Sequence, residues 1–327
     1  MMKPGSWRIL PMTKGMLGGP RLTRAAFLKL TAGAAAALAF AVPGPGARAA
    51  AEPMARRPIP SSGEMLPVIG VGTSGTFDIG TDGKSRAGRA EVLRVLFEAG
   101  GSVIDTSPMY GRAEGVVGDL LAASGARNRA FIATKVWTRG RAAGIRQMEE
   151  SARLLGAPVI DLMQVHNLVD WPTQLKTLRQ WKEEGRIRYI GITHYTSSAL
   201  DDLGAIIERQ ALDFVQFAYS IRGRQAERRL LPLCAEKGVA TLINRPFEDG
   251  AIFRRVRGKA LPAWAADFDC RTWGQFLLKF ILAHPAVTCV IPGTSKPKHM
   301  ADNAAAGTGR LPDAAARRKM AELVEGL

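Results

Sequence analysis

A chain of 327 residues with 46% hydrophobic positions holds ample material for the core of one large domain. Its formal charge of +16 points first to a nucleic-acid or membrane partner. However, the first fifty residues carry Lys3, Arg8, Lys14, Arg21, Arg24, Lys29 and Arg48 and no acid, and the rest has no interleaved basic–aromatic tract of the kind that lines a nucleic-acid groove.

Residues 1–50 read as a leader. Leu30 to Val42 is an apolar run rich in Ala and Leu, placed after a basic region and before Pro43, Gly44, Pro45 and Gly46. Ala47, Arg48 and Ala49 supply a small-x-small pattern for cleavage near residue 49 or 50. The run falls short of the ~20 residues that span a bilayer, so a cleaved signal, engagement of export machinery and a periplasmic destination are expected. Arg24, Phe27, Leu28 and Lys29 resemble a twin-arginine export motif, with Ala25 where the second arginine would stand. A general secretory signal and an uncleaved anchor are the other readings. Residues 51–327 are then a single folded domain.

Within that domain, residues 61–67 predict a turn between two short strands. Residues 68–73 read as the first of a series of strands, whose glycines allow close backbone approach to a ligand. Helical spacing follows over 89–99, and strand and helix then alternate. Strands are expected near 103–104, 131–135, 160–165, 188–193, 213–217, 239–243 and 287–291. Helices are expected near 114–123, 145–155, 173–184, 198–208, 226–236 and 272–283, with a last one within 311–327. Eight strands alternating with helices predict a (β/α)8 barrel. The long segment 247–271, which includes Trp264, breaks the repeat and reads as a functional loop. Cys234, Cys270 and Cys289 are far apart, and His166, His194, His284 and His299 do not cluster with them, so no metal site is implied.

Three consecutive strand ends carry an ionisable residue. The β-branched pair Val103–Ile104 leads into Asp105, Pro108 stops the strand, and Tyr110 follows in the loop. The next two strands end in Lys135 and His166. A carboxylate at the tip of an apolar strand needs a cation or solvent, and in a parallel barrel these tips converge on the face that holds the chemistry. The surrounding text, I-D-T-S-P-M-Y-G-R-A-E, A-T-K-V-W and Q-V-H-N, resembles the aldo/keto reductases, and the likeness runs from about Ile59 to the C-terminus. It implies a (β/α)8 TIM barrel of that type. It also implies a catalytic tetrad of Asp105, Tyr110, Lys135 and His166 that reduces an aldehyde or ketone with NADP, or alternatively NAD.

The chemistry assigns each member a role. Tyrosine ordinarily titrates near ~10, so Tyr110 holds the proton that the developing alkoxide needs. A cation at Lys135 stabilises the phenolate, Asp105 holds and balances the lysine, and His166 orients the carbonyl oxygen. For the cofactor, the resemblance implies contacts from Gly72 and Thr73, and a nicotinamide grip from Thr193, His194 and Gln216. Asn244 stands where the family places a stacking tyrosine, and Arg245 is placed to reach the pyrophosphate. Residues 291–303 resemble the adenosine-phosphate signature, giving Thr294, Ser295, Lys296, His299 and Asn303, with positive charge from Lys296, Lys298 and His299 for a 2′-phosphate. Trp137 and Trp171 are expected to wall the substrate pocket. Asn244 and His194 depart from the family pattern and leave open a second reading, a cofactor-binding sensor with slow turnover.

Overall fold

The computed structural model describes residues 53–327; the leader, its cleavage site and its export motif lie outside the described residues. The chain enters through an antiparallel hairpin, β1 (Arg56–Pro58) and β2 (Met65–Pro67). Eight parallel strands follow in sequence order: β3 (Val71–Gly72), β4 (Val103–Asp105), β5 (Phe131–Val136), β6 (Ile160–His166), β7 (Ile187–Thr193), β8 (Phe214–Ala218), β9 (Ala240–Asn244) and β10 (Cys289–Val290). Parallel bridges at Ile69–Val290 and Gly72–Gly293 join the first strand to the last and close the ring. Gly70 lets the start of the first strand lie close against β4, because a Cβ there would sit 2.7 Å from the Val103 carbonyl oxygen. The expected (β/α)8 barrel is the observed fold.

The period of two along each strand explains how the barrel is filled. Val103, Phe131, Ala133, Leu162, Phe214, Ala240, Leu242 and Cys289 form one interior cluster, into which Ile59 and Leu66 of the hairpin region insert from below. The alternate residues Ile104, Ile132, Met163, Ile190, Val215 and Ile243 belong to the larger cluster shared with the helices. Each fully buried aliphatic side chain contributes ~1.5–3 kcal/mol. The same inward row turns polar towards the C-terminal strand ends: Asp105 follows Val103, Lys135 follows Ala133, Gln164 and His166 follow Leu162, Gln216 follows Phe214, and Asn244 follows Leu242. Register aligns these polar positions, with Lys135 opposite Gln164 and His166 opposite Thr193, which itself lies opposite Gln216.

The helices are α1 (Gly83–Glu98), α2 (Ala113–Ala123), α3 (Arg141–Leu154), α4 (Trp171–Glu183), α5 (Leu200–Arg209), α6 (Leu230–Lys237), α7 (Ala251–Arg255), α8 (Trp273–Leu282), α9 (Pro297–Ala305) and α10 (Ala314–Glu325). α1 begins earlier than its apolar spacing predicts, because the Asp82 carboxylate accepts the Ser85 N–H at 2.8 Å and caps it. The segment 247–271 divides into two parts. Phe247 and Phe253 line the main cavity, whereas Trp264 packs against Phe268 and Phe276 instead of covering it.

Candidate active site

A cavity of about 700 Å3 opens at the C-terminal ends of the strands, in the size range of small-ligand sites. Asp105, Tyr110 and His166 line it, and Lys135 lies fully buried behind Tyr110. Lys135 Nζ donates to Asp105 Oδ2 at 2.8 Å and to the Thr106 carbonyl at 2.6 Å, and it sits 4.9 Å from the centroid of the Tyr110 ring. Burial alone pulls the lysine pKa down, yet the neighbouring Asp105 carboxylate and Tyr110 hold it above its ordinary value. The four residues of the expected tetrad are therefore brought together.

Tyr110 departs from expectation in one respect. Lys135 does stabilise its phenolate, but burial acts more strongly in the opposite direction, with Asp105 adding to it, and the net pKa is raised. The phenol thus keeps its proton throughout the neutral range. His166 is the reverse case: burial, followed by the charge of Lys135, lowers its pKa to about 3. Its imidazole is uncharged at neutral pH. Nδ1 lies 3.0 Å from Ser107 Oγ, and the ring meets Tyr110 edge-on at 5.8 Å.

A chain of amides runs across the strand ends. Asp105 Oδ1 accepts from Gln216 Nε2 at 2.7 Å. Gln216 Oε1 in turn accepts from Thr193 Oγ1 at 3.1 Å and from Asn244 Nδ2 at 3.3 Å. A carboxylate only accepts, so Asp105 sets the orientation of Gln216, and Gln216 sets that of Asn244. Sequence reasoning grouped Thr193 and Gln216 in one grip; it missed that Asp105 and Asn244 join them, because the link depends on which strands are neighbours.

The other expected cofactor residues divide. Gly72, Thr193, Gln216 and Arg245 line the cavity. At Gly72 a Cβ would meet the Ile291 carbonyl oxygen at 2.9 Å, so the wall there is necessarily bare backbone. Arg245 pairs with Asp249 at 2.6 Å and lies 4.8 Å above the ring of Tyr195. His194 turns away from the amide chain: its Nδ1 accepts from the Thr196 N–H at 3.2 Å, and its ring stacks on Tyr195 at 5.5 Å. Thr73 and Asn303 are buried outside the cavity lining, and Thr294 is buried with Oγ1 accepting the Lys296 N–H at 3.1 Å. Ser295 adjoins this cap, while Lys296, Lys298 and His299 are exposed at the start of α9. Burial and the two lysines lower the His299 pKa, so the positive charge expected there is absent at neutral pH.

The apolar walls also differ from expectation. Trp137 is 41% exposed and reaches His166 at 6.3 Å between ring centroids. Trp171 opens α4 and packs against the helix-side core. Met109, Tyr195, Phe247 and Phe253 supply the apolar lining of the cavity itself. Phe247 and Phe253 lie within the segment read as a functional loop, but their pairing at 4.9 Å had no signature in the sequence.

Known proteins resemble this chain along most of its length. The chain is 27% identical to methylglyoxal reductase YeaE of Escherichia coli (strain K12) over 260 residues, 77% of this chain and 89% of that protein. It is also 27% identical to an NADH-specific methylglyoxal reductase of the same organism, over 68% of this chain and 84% of that protein. A solved aldo-keto reductase of Klebsiella pneumoniae in complex with NADPH superposes with a TM-score of 0.69 at 25% identity, covering 84% of this chain and 96% of that one. A second from that organism, in complex with NADP and acetate, gives 0.68 at 26% identity over 80% and 93%. The aldo/keto reductase family model matches residues 68–320. With the barrel, the clustered strand-end residues and a match over most of its length, the chain belongs to the aldo/keto reductase family.

Proposed function

We propose that the protein reduces an aldehyde or ketone to the alcohol with NADPH, Tyr110 acting as general acid. The observation that carries this reading is the buried Asp105–Lys135 pair beside the Tyr110 ring, on the wall of a cavity that His166 shares. When bound, the dinucleotide supplies hydride to the carbonyl carbon. Tyr110 gives its phenolic proton to the oxygen as negative charge develops there. Lys135 stabilises the phenolate left behind, and Asp105 keeps Lys135 charged and in place. His166, uncharged, orients the carbonyl oxygen through a hydrogen bond.

The residues present fit a dinucleotide. Gly72, Thr193, Gln216 and Arg245 stand together on the cavity wall at the strand ends. The N-terminus of α9, with exposed Lys296 and Lys298, suits a phosphate. Relatives solved with NADP and NADPH support NADP as the cofactor, and the NADH-specific relative keeps NAD within reach. Purified protein tested for NADPH oxidation against a panel of aldehydes and ketones is the direct test. Robust turnover supports the reductase. Tight cofactor binding with no turnover on any carbonyl selects the sensor reading, which the displacement of His194 from the amide chain favours.

We also propose that residues 1–50 direct export to the periplasm. If residues 1–60 fused to a reporter that must fold before translocation deliver it there, and Arg24→Gln reduces delivery, the twin-arginine route holds. Export of only an unfolded-threading reporter selects the general secretory route, and export of neither refutes the leader.

A further inference from the structure

We propose that Ser107 is a positioning residue that fixes His166 in the tautomer carrying its proton on Nε2, so that the imidazole presents a donor and not a lone pair to the carbonyl oxygen. Ser107 is fully buried. Its hydroxyl makes two contacts: Oγ accepts the backbone N–H of Met109 at 3.2 Å, and Oγ lies 3.0 Å from His166 Nδ1. The backbone N–H can only donate, which fixes the role of one Oγ lone pair. Two arrangements remain for the second contact. In the first, the hydroxyl donates to Nδ1, and both Ser107 and Nδ1 are satisfied. In the second, Nδ1–H donates to Oγ, and the hydroxyl hydrogen is left buried without an acceptor, which is penalised. The first arrangement prevails.

The consequence follows from the charge state of the ring. An uncharged imidazole has one N–H, and burial beside Lys135 keeps His166 uncharged at working pH. With Nδ1 accepting from Ser107, the single proton is on Nε2, the nitrogen left to serve the cavity that His166 lines. With the opposite tautomer, Nε2 would face the substrate oxygen with a lone pair, and the interaction would change sign. The backbone makes the device compact. Tyr110 N–H donates to the Ser107 carbonyl at 3.0 Å, so one turn through Pro108 holds both the proposed acid and the hydroxyl that orients its partner.

The catalytic consequence rests on the reductase reading; the tautomer does not, and the two are tested separately. The chain has four histidines, so the 15N spectrum of histidine-labelled full-length protein with NADP+ bound is tractable, with His166→Gln identifying the His166 signals. Wild type should show Nδ1 as an unprotonated acceptor nitrogen and Nε2 as a protonated one. Ser107→Ala should move the pair towards the other tautomer or a mixture, and should lower kcat about tenfold, the effect of one lost hydrogen bond, with NADP+ affinity unchanged. Ser107→Cys, of similar volume and with a weaker donor, should fall between, and serves if the alanine variant does not fold. A wild-type spectrum with the proton on Nδ1, or variant spectra identical to wild type, would overturn the proposal even in an active enzyme. Absence of turnover in wild type with the expected tautomer intact would count against the reductase reading alone.

Discussion

The two ends of the barrel are built from the same strands and behave as opposites. At the N-terminal end, the inward residues are apolar, and Ile59 and Leu66 close the opening. A cation there, Arg57, gives its guanidinium to the backbone carbonyls of Leu282, His284 and Val287. At the C-terminal end the inward residues are Asp105, Lys135, Gln164, His166, Gln216 and Asn244, and the cavity opens over them. Lys135, as buried as any aliphatic residue, is spent on a carboxylate and a tyrosine. One end thus holds the chain together, and the other keeps charge in a dry place, where the proposed mechanism uses it on a reacting atom.

If that division is right, substitutions at the two ends should separate activity from stability. Tyr110→Phe is the cleanest break: it removes one hydroxyl and keeps the ring. We expect kcat to fall about 10²–10⁴-fold, the usual weight of a positioned acid, with cofactor affinity and melting temperature close to wild type. Stopped-flow NADPH oxidation and a binding titration check it, and comparable kcat values would remove Tyr110 from the role of acid. Lys135→Met should fail in both respects. It leaves Asp105 buried without its cation, at a cost of about 3–5 kcal/mol, and strips the phenolate of its support. Leu66→Ala should fail only in stability, by about 2–5 kcal/mol, with kcat per folded molecule unchanged. Urea unfolding set beside kcat distinguishes the three, and a Leu66→Ala enzyme that is stable but slow would contradict the division.

Each end also holds a histidine, buried at His166 and half-buried at His284, which gives a pH test. Burial lowers the pKa of His166, to about 3, and of His284 at the opposite end. Because the folded pKa lies below the unfolded one, the unfolded state binds the proton more readily between the two values. The contribution to stability is fully present above the ordinary histidine pKa and is lost as pH falls from there towards the folded value. For His166 that window runs from about 6.5 down to about 3, with a slope of at most ~1.4 kcal/mol per pH unit. We expect His166→Gln to flatten the decline in melting temperature between pH 7 and pH 4, while leaving the part due to His284. An unchanged acid profile would mean that His166 is already protonated in the folded state.

The sequence made the four candidate residues legible because Asp105, Lys135 and His166 lie at the ends of apolar runs, where a period of two places them on the inward face, and Tyr110 follows Asp105 in the loop that Pro108 opens. Boundaries were less legible where a cap decides them, as Asp82 does for α1. What could not be read was any relation between strands that requires their lateral order. Gln216 reaches Asp105 across a separation of 111 residues, and nothing local marks the pair. Ser107 stood inside the most informative motif, yet its hydroxyl acquires a role only when β6 brings His166 beside it. Trp137 and Trp171 both follow a strand end, which is what marks them in the sequence. Helix packing claims Trp171, and the cavity takes Phe247 and Phe253 from a loop whose path the sequence did not fix.

The smallest expected effect concerns charge that is not buried. Lys296 is exposed at the start of α9, in contrast to Lys135, and this difference sets how each responds to salt. A charged hydrogen bond to a 2′-phosphate is worth ~1.5–3 kcal/mol when well formed, but at an exposed site water and ions reduce it towards ~1 kcal/mol or less. Lys296→Met should therefore narrow the preference for NADPH over NADH by roughly fivefold, leaving kcat with saturating NADPH unchanged. The wild-type preference should itself shrink as ionic strength rises, since at ~0.1 M the screening length is only ~10 Å. Chemistry at the dry Asp105–Lys135 pair should not respond to the same change. Measuring kcat/KM for both cofactors across a salt series, in wild type and in Lys296→Met, separates the two cations. Equal kcat/KM values for NADPH and NADH in wild type would mean that the bare backbone at Gly293 leaves the phosphate too few partners. A preference insensitive to salt would place the discriminating group inside the cavity, with Arg245 the first candidate to replace.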